Sequence, residues 1–388
     1  MWVLMNKALK YLSILLSICT FGYLVVVGKE IRLLKKKNKQ YNRFFSNVEA
    51  GYQQFTPFFG NLAVPYPLQN LPFGEDTGVI LSVKNIEIRN VVAPYNATIV
   101  EHGDEYLLFF RYDVMQTKRP GNYETFIGCA ALDKNFQQTD EEYKIIDTGS
   151  NFSEDPRALT VGNDLYLVFN DIHPGNHSCR TMRIGKLNLE ESKLDYVTDL
   201  DLQIKPVEKN WVPFEYMENG IPKVYLGYSL NPHKVLKVED PKISVLTHLM
   251  FPNLSTYNKL FWPDIWGDYV KGGTPAKKIG NHYLSFFHTF FLDENKIAWY
   301  NMGAYTFEDG PPFRINAISN YPILYKGIYN SAPINTADPR KHVVFPGGFV
   351  EANQDGRDVL HVVCGENDCA IKVITMDKEV LIKGLKKI

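Results

Sequence analysis

The stretch Val161-Gly162-Asn163-Asp164-Leu165-Tyr166-Leu167-Val168-Phe169 joins a polar turn to a run of apolar and aromatic residues. Gly, Asn and Asp favour tight turns, and the run that follows is typical of a β-strand. The same unit recurs at 102–110, 218–228, 279–287 and 355–363. Its spacing of roughly 50 to 75 residues is the size of a four-stranded propeller blade. The pattern predicts an all-β protein, a five-bladed β-propeller, although a β-sandwich or a double barrel also fits it.

Composition narrows the function classes. The chain has 388 residues, a net charge of -1 and 13% aromatic residues. No basic domain stands out, so a nucleic-acid partner is not indicated. The aromatic content suits either a β-rich protein or a sugar-binding surface. The five cysteines form no Cys-x-x-Cys motif and no Cys/His cluster, so the sequence indicates no metal and no cofactor. Cys364 and Cys369 could pair across a hairpin or remain free thiols.

The N-terminal region predicts a membrane anchor. Residues 11–28 contain no charged residue, which is close to the minimum for a membrane-spanning helix. A cleaved signal peptide is the alternative, but no Ala-x-Ala-like site follows the apolar stretch. We therefore predict an anchor at 1–28, a basic stem and an irregular wrapping segment at 29–77, and a propeller at 78–388.

Two signals disagree about the side of the membrane that holds the propeller. Six basic residues follow the apolar stretch and two precede it, which favours a cytoplasmic C-terminal domain. Four glycosylation sequons, beginning at Asn96, Asn151, Asn176 and Asn253, favour a secretory compartment instead. The sequence predicts a single-pass membrane protein and leaves its topology open.

A charged motif, Ser153-Glu154-Asp155-Pro156-Arg157, precedes the turn and strand quoted above. It brings two carboxylates and a guanidinium together where a loop enters a strand, a common position for catalytic groups. Proline blocks helix formation and favours extended backbone in the residue before it. A carboxylic acid beside a fixed cation suits acid catalysis on an oxygen-rich substrate. A salt-bridged turn is the structural alternative.

An ordered series of segments resembles glycoside hydrolase family 130, which comprises mannoside phosphorylases, related hydrolases and allied β-1,2-mannosyltransferases. The segments are Pro94-Tyr95-Asn96-Ala97, Leu108-Phe109-Phe110-Arg111, Glu154-Asp155-Pro156-Arg157, Glu208-Lys209-Asn210-Trp211-Val212-Pro213-Phe214, Gly272-Gly273-Thr274-Pro275-Ala276, Phe287-His288, Met302-Gly303-Ala304-Tyr305, Tyr321-Pro322-Ile323-Leu324-Tyr325, Val343-Val344-Phe345-Pro346-Gly347-Gly348 and Cys364-Gly365-Glu366-Asn367-Asp368. The resemblance covers most of the chain after about residue 94 and implies a five-bladed propeller.

The resemblance also implies site residues. Asp155 would be the general acid, with its pKa raised by burial or by Glu154. Arg111 and Arg157 would bind oxyanions or sugar hydroxyls. The other implied substrate-binding residues are Lys209 and His288 near phosphate, Asp368 on a sugar ring, and Asn96 and Tyr305. Trp211 and Tyr95, like Tyr305, could stack on pyranose faces. Ion pairing and core packing are the structural alternatives for these residues.

One departure from the family bears on the reaction. The segment Tyr228-Ser229-Leu230-Asn231-Pro232-His233 lacks the arginine that grips phosphate in the phosphorylases, which puts phosphorolysis in doubt. His233 and Lys234 are the available substitutes. A hydrolase would need a second carboxylate to activate water, and the candidates are Glu154, Glu215, Glu366 and Asp368.

The sequence therefore favours a membrane-anchored carbohydrate-active enzyme that transfers a glycosyl unit with inversion. Its partners would be a carbohydrate and either inorganic phosphate or a sugar phosphate. The alternative is a non-catalytic sugar-binding propeller on a membrane stalk.

Overall fold

The computed structural model describes residue 68 and residues 71–115, 123–173, 176–200, 206–240, 246–249, 269–293, 296–331 and 341–388. Two elements precede the first blade: a short helix, α1 (Gly74–Thr77), and a strand, β1 (Ile80–Ile86). Blade one contains β2 (Tyr95–His102), β3 (Glu105–Met115), β4 (Tyr123–Leu132) and β5 (Lys144–Ile145). Blade two contains β6 (Glu154–Val161), β7 (Asp164–His173), β8 (Asn176–Asn188) and β9 (Lys193–Asp199).

Blade three contains β10 (Val212–Glu218), β11 (Ile221–Leu230), β12 (His233–Val238) and β13 (Leu246–Leu249). Blade four contains β14 (Lys271–Gly272), β15 (Lys277–Ile279), β16 (His282–Leu292), β17 (Ala298–Glu308), β18 (Ile315–Ser319) and β19 (Lys341–His342). Blade five contains β20 (Val344–Gln354), β21 (Arg357–Glu366) and β22 (Ala370–Asp377). The chain ends with α2 (Lys378–Gly384) and β23 (Leu385–Lys387).

The five sheets form a ring, which confirms the predicted all-β, five-bladed propeller. Blade five is completed by β1, which pairs antiparallel with β22 and so joins the two ends of the propeller. The C-terminal β23 pairs with β18 of blade four. The pairing of β1 with β22 closes the ring, and the pairing of β23 with β18 covers an edge of blade four.

The hydrophobic core lies between neighbouring blades. In β3, Leu107 and Phe109 pack with Leu167 and Phe169 of blade two, whereas Leu108 packs toward blade five. Successive strand residues point to opposite faces, and both faces of each sheet meet a neighbouring blade. The strands therefore read as continuous apolar runs, as in other sheets buried on both faces.

The first strand of each blade lies at the hub, where neighbouring strands approach closely. A Cβ on Gly347 would come within 1.9 Å of the Ala97 carbonyl oxygen, and one on Gly272 within 2.5 Å of the Asn210 carbonyl oxygen. Glycine is needed at these positions because another residue would collide with backbone of the adjoining blade. The hub is therefore narrow enough for residues from several blades to share one site.

The predicted anchor and most of the predicted stem and wrapping segment, within residues 1–67, lie outside the described residues. Within the described ranges, neither helix has the length and apolar character needed to cross a lipid bilayer.

Burial of histidine gives the fold a dependence on pH. His233 is 2% exposed, and its Nδ1 lies 2.8 Å from the Phe313 carbonyl oxygen. Burial lowers the pKa of His233 to about 4. Because the unfolded chain protonates this imidazole at higher pH than the folded chain, stability contributed by the neutral form is lost as pH falls from about 6.5 to 4.

We expect His233→Gln to weaken the dependence of the melting temperature on pH in this range. Calorimetric unfolding between about pH 4.5 and 7 measures the effect. The same substitution at exposed His102 is the control and should leave the wild-type slope in place. A His233→Gln slope equal to that of the wild type would contradict the assignment.

Candidate active site

Local distortions at the start of two hub strands position the central residues. The pairing of β2 shifts register between Tyr95 and Thr98, and that of β6 shifts between Glu154 and Arg157. Asn96 and Asp155 lie within these irregularities and have φ values of 46° and 52°. A bulge re-aims side chains, and positive φ is costly for residues other than glycine. The two distortions turn Asn96 and Asp155 toward each other.

Asp155 is buried and its Oδ1 receives two contacts from blade one. Asn96 Nδ2 donates a 2.8 Å hydrogen bond to it, and Arg111 Nη1 lies 3.4 Å away. Asn96 is itself 5% exposed. Its side-chain nitrogen is therefore used in a buried hydrogen bond in the folded protein.

Arg111 links the carboxylates around the site. Its Nη2 lies 3.1 Å from Glu154 Oε1, and its Nε donates a 3.1 Å bond to Asp113 Oδ1. The guanidinium carbon sits 4.9 Å from the centroid of the Tyr95 ring, whose hydroxyl donates to Asp113 at 2.7 Å. The cation is thus held by charge and by an aromatic face.

A second arginine holds Glu154. Arg180 Nη2 contacts Glu154 Oε1, and its Nη1 donates a 3.1 Å bond to Asn170 Oδ1. Asn170 in turn donates to the Glu154 backbone carbonyl at 3.3 Å. No recognisable sequence motif contains Arg180, Asn170 or Asp113, so residue spacing does not indicate them as site residues. They reach the site through strand pairing alone.

Arg157 points into the centre of the hub. It is 1% exposed, its Nε donates to the Gly273 carbonyl oxygen, and its guanidinium carbon lies 4.9 Å from the Phe345 ring centroid. Its Nη2 is buried and has no hydrogen-bond partner among the described residues. A buried donor without a partner is costly, so this N–H is suited to bind a ligand oxygen.

Two electrostatic effects compete at Asp155. Burial raises the pKa of this carboxyl, but Arg111, Arg157, Lys209 and the hydrogen bond from Asn96 outweigh burial and lower the pKa to about 2. The expectation of a raised pKa at Asp155 was therefore wrong. It is Glu154 whose pKa is raised, mainly by burial.

His288 and Lys209 join the same cluster. His288 is 4% exposed and lies with its ring centroid 4.5 Å from that of Phe345. Burial, with Arg157 and Lys209 adding to it, lowers the pKa of His288 to about 3, so the ring is neutral near pH 7. Its Nδ1 has no hydrogen-bond partner among the described residues. Lys209 is exposed, and its charge acts on both Asp155 and His288.

Asp368 lies at the edge of this cluster. It is half-buried with a φ of 53°, and its charge helps to raise the pKa of Tyr95, for which burial is the main cause. The fold therefore assembles seven of the eight residues named from the sequence: Asp155, Asn96, Arg111, Arg157, Lys209, His288 and, at the rim, Asp368.

Tyr305 lies elsewhere. It is 0% exposed and packs in the core between blades three and four, with Phe287 and Phe307. Trp211 is 1% exposed and packs in the core between blades two and three. Neither ring presents a face to a substrate, so the expectation of stacking on pyranose was wrong. Aromatic rings at strand positions serve the core here.

The candidate replacement for the missing arginine also lies in the core. The His233 ring packs 5.2 Å from that of Phe307, and its backbone-bonded, neutral state gives it no charge for an anion. In segment 228–233, which differs from the family pattern, Tyr228 donates a 3.1 Å hydrogen bond to Glu208 Oε1. His233 therefore does not supply the cation that the segment lacks.

Like Glu154, the candidate carboxylates Glu366 and Glu215 have structural partners. Glu366 is 0% exposed. It accepts backbone N–H bonds from Tyr329 and Ser331 at 3.0 and 2.9 Å. Glu215 accepts a 2.7 Å bond from Gly162 N, near the opposite end of the hub strands.

Comparison with protein families identifies the class of protein. The model for glycoside hydrolase family 130, described as beta-1,4-mannooligosaccharide phosphorylase, matches residues 74–387. The chain belongs to this family of carbohydrate-active enzymes. None of the curated proteins matches it.

Solved structures share the fold. A β-1,2-mannobiose phosphorylase from Listeria innocua matches with a TM-score of 0.54 and 16% identity, over 80% of this chain and 98% of that chain. A mannose phosphorylase from Leishmania mexicana, solved with a phosphate ion, has a TM-score of 0.51 and 15% identity, over 81% and 93%. A GDP-Man-dependent mannosyltransferase from the same organism has a TM-score of 0.51 and 14% identity, over 78% and 92%.

Arg111 should control the ionisation of Asp155. We expect Arg111→Lys to raise the pKa of Asp155 by about one unit, because an ammonium cannot reproduce the fork of the guanidinium. Carbon-13 NMR titration of the Asp155 carboxyl measures the shift.

The matched control is Arg183→Lys, since Arg183 pairs with Asp171 and Asp199 within blade two. This control should leave the Asp155 titration unchanged. An equal shift in both variants, or none in Arg111→Lys, would show that Arg111 does not set this pKa.

Proposed function

We propose that this protein is an inverting glycosyl-transfer enzyme in which Asp155 exchanges a proton with the acceptor oxygen. The observation that carries the proposal is the buried Asp155 carboxylate, held between Asn96 and Arg111 on a strained backbone. Strain and buried charge of this kind are concentrated at functional sites.

The ionised state of Asp155 suits the role of proton acceptor in the synthetic direction. As a carboxylate, Asp155 takes the proton from an acceptor hydroxyl, whose oxygen then forms a bond to the anomeric carbon. The bond from that carbon to a phosphate oxygen of the donor breaks, and its electron pair leaves with the phosphate. In the reverse direction phosphate attacks, and Asp155, protonated in the sugar complex, returns the proton to the glycosidic oxygen.

Groups close to Asp155 are available for the phosphate. Arg157, whose Nη1 donates a 3.3 Å hydrogen bond to the Asp155 carbonyl oxygen, has in Nη2 a buried donor without a partner among the described residues, and Lys209 adds an exposed charge. His288, being neutral, would contribute a hydrogen bond rather than charge. These groups suit a phosphorylated donor, since guanidinium and ammonium groups bind phosphate oxygens.

Attack by a sugar hydroxyl is favoured over attack by water or by free phosphate. Inverting hydrolysis requires a second carboxylate to activate water. Glu154 is held by Arg111 and Arg180, Glu366 by backbone N–H groups and Glu215 by Gly162, so these three carboxylates have structural roles. Phosphorolysis needs phosphate held firmly in line, but segment 228–233 contains no arginine and its histidine, His233, is buried and neutral.

We propose mannose as the transferred sugar and a mannoside as the acceptor. The family description and the three similar structures are those of mannoside phosphorylases or a mannosyltransferase. The donor would be a mannose carrying a phosphate or a nucleoside diphosphate at its anomeric carbon.

The decisive variant is Asp155→Asn. The amide keeps the size and hydrogen-bonding ability of the side chain but cannot accept the proton, so we expect turnover to fall by about 10²- to 10⁴-fold. Sugar binding should remain within a few-fold of wild type. The assay incubates the enzyme with mannose 1-phosphate or GDP-mannose and manno-oligosaccharides, and follows chain length and anomeric configuration.

Exposed Asp358 provides a matched control, because Asp358→Asn makes the same chemical change far along β21 and should leave turnover unchanged. Wild-type protein that binds mannosides but transfers, hydrolyses and phosphorolyses none of them would establish the non-catalytic sugar-binding alternative. Full turnover by Asp155→Asn would remove this residue from the chemistry.

We also propose that residues 11–28 anchor the enzyme in a membrane, since their uncharged length suits a spanning helix. An anchored chain should stay with the lipid during alkaline carbonate extraction, and deletion of 1–28 should release it. Full extraction of the intact chain would contradict the anchor.

A further inference from the structure

A column of aromatic rings runs from the site to the surface along blade four. It begins at Phe345, which packs against His288 with ring centroids 4.5 Å apart. His288 stacks with Tyr300 at 6.2 Å, and Tyr300 stacks with Phe290 at 5.0 Å. Phe290 then packs with Tyr269 at 4.9 Å and an interplanar angle of 32°. At its inner end, the column also contacts the guanidinium of Arg157.

Strand geometry produces this column. His288 and Phe290 are two residues apart on β16, so their side chains share one face of the sheet. Tyr300 on β17 is the direct cross-strand partner of Phe290. Tyr269 immediately precedes Val270, which is 8% exposed and packs in the core between blades three and four. The position of Tyr269 is therefore set by its neighbour in the core and by its contact with Phe290.

Exposure increases outward along the column. His288 is 4% exposed, Tyr300 and Phe290 are half-buried, and Tyr269 is 56% exposed. One side of the Tyr269 ring packs on Phe290, while more than half of the residue contacts solvent. An exposed ring held in place by packing is a ready stacking surface, because little conformational entropy remains to be lost on binding.

We propose that Tyr269 binds a non-reacting sugar unit of an extended saccharide acceptor, as a subsite remote from the transferred unit. The inference rests on the function proposed above and specifies the length of acceptor that the enzyme prefers. Pyranose rings carry an apolar C–H face that packs on aromatic rings. The rings of Phe290 and Tyr300 lie between Tyr269 and His288 in the column, so a sugar on Tyr269 is a different unit from one in contact with His288.

The surroundings of Tyr269 favour a saccharide over the base of a nucleotide donor. Its ring partner Phe290 is apolar, and Leu292, two residues further along the same face of β16, is 59% exposed. The platform therefore continues outward as apolar surface, which suits a chain of sugar units. Arg157 Nη2, the donor proposed above to bind the phosphate, remains at the inner end of the column.

Calorimetric titration of the full chain with mannose, mannobiose and mannotetraose tests the subsite. We expect Tyr269→Ala to weaken mannotetraose binding about tenfold, as loss of one aromatic stacking contact does. Mannose binding should be unchanged. Tyr269→Phe keeps the ring and should bind mannotetraose within twofold of wild type.

Ile221→Ala is the matched control. Ile221 is 58% exposed, much like Tyr269, but begins β11 at the end of blade three opposite the site. It should not change any of the three affinities. Equal mannotetraose affinity in wild type and Tyr269→Ala would overturn the subsite alone. A Tyr269→Ala defect confined to GDP binding would also overturn it, in favour of a base platform. Absence of mannoside binding by the wild type would overturn both this subsite and the proposed sugar.

Discussion

One guanidinium from blade one holds two adjacent carboxylates from blade two. Arg111 lies 3.1 Å from Glu154 and 3.4 Å from Asp155, and all three side chains are buried. Charges removed from water are tolerated when their partners are close and correctly oriented, and removal of one partner leaves the other uncompensated. This contact couples the joining of two blades to the ionisation of the proposed catalytic group, so the fold and the chemistry depend on the same interaction.

The arrangement separates the properties of two neighbouring acids. Cations surround Asp155 and keep it ionised, whereas burial dominates at Glu154 and raises its pKa. Two carboxyl groups that are adjacent in the chain therefore differ because their surroundings differ. Asp155 is ionised and can accept a proton, which is the state that the proposed transfer to a hydroxyl acceptor requires. Release of a proton requires the bound sugar to alter this balance.

The propeller tolerates wide sequence divergence because few of its requirements are specific. Each blade needs strands that are apolar on both faces, turns between them and small residues at the hub. Gly347 and Gly272 meet the last requirement, since a side chain there would strike neighbouring backbone. Many apolar residues meet the first. The similar structures, at 14–16% identity, accordingly share the fold while their described activities differ.

The amino-acid sequence by itself determined the β-strand content, the number of blades and most of the polar residues at the hub, because turns and motifs are local features that recur in order. It also indicated Asp155 as the candidate catalytic residue. Tertiary structure alone decided that Asp155 is ionised, that Glu366, Tyr305 and His233 are buried, and that Arg180 reaches Glu154. These properties depend on burial and on charges brought together from different strands, and neither quantity can be read from residue spacing along the chain.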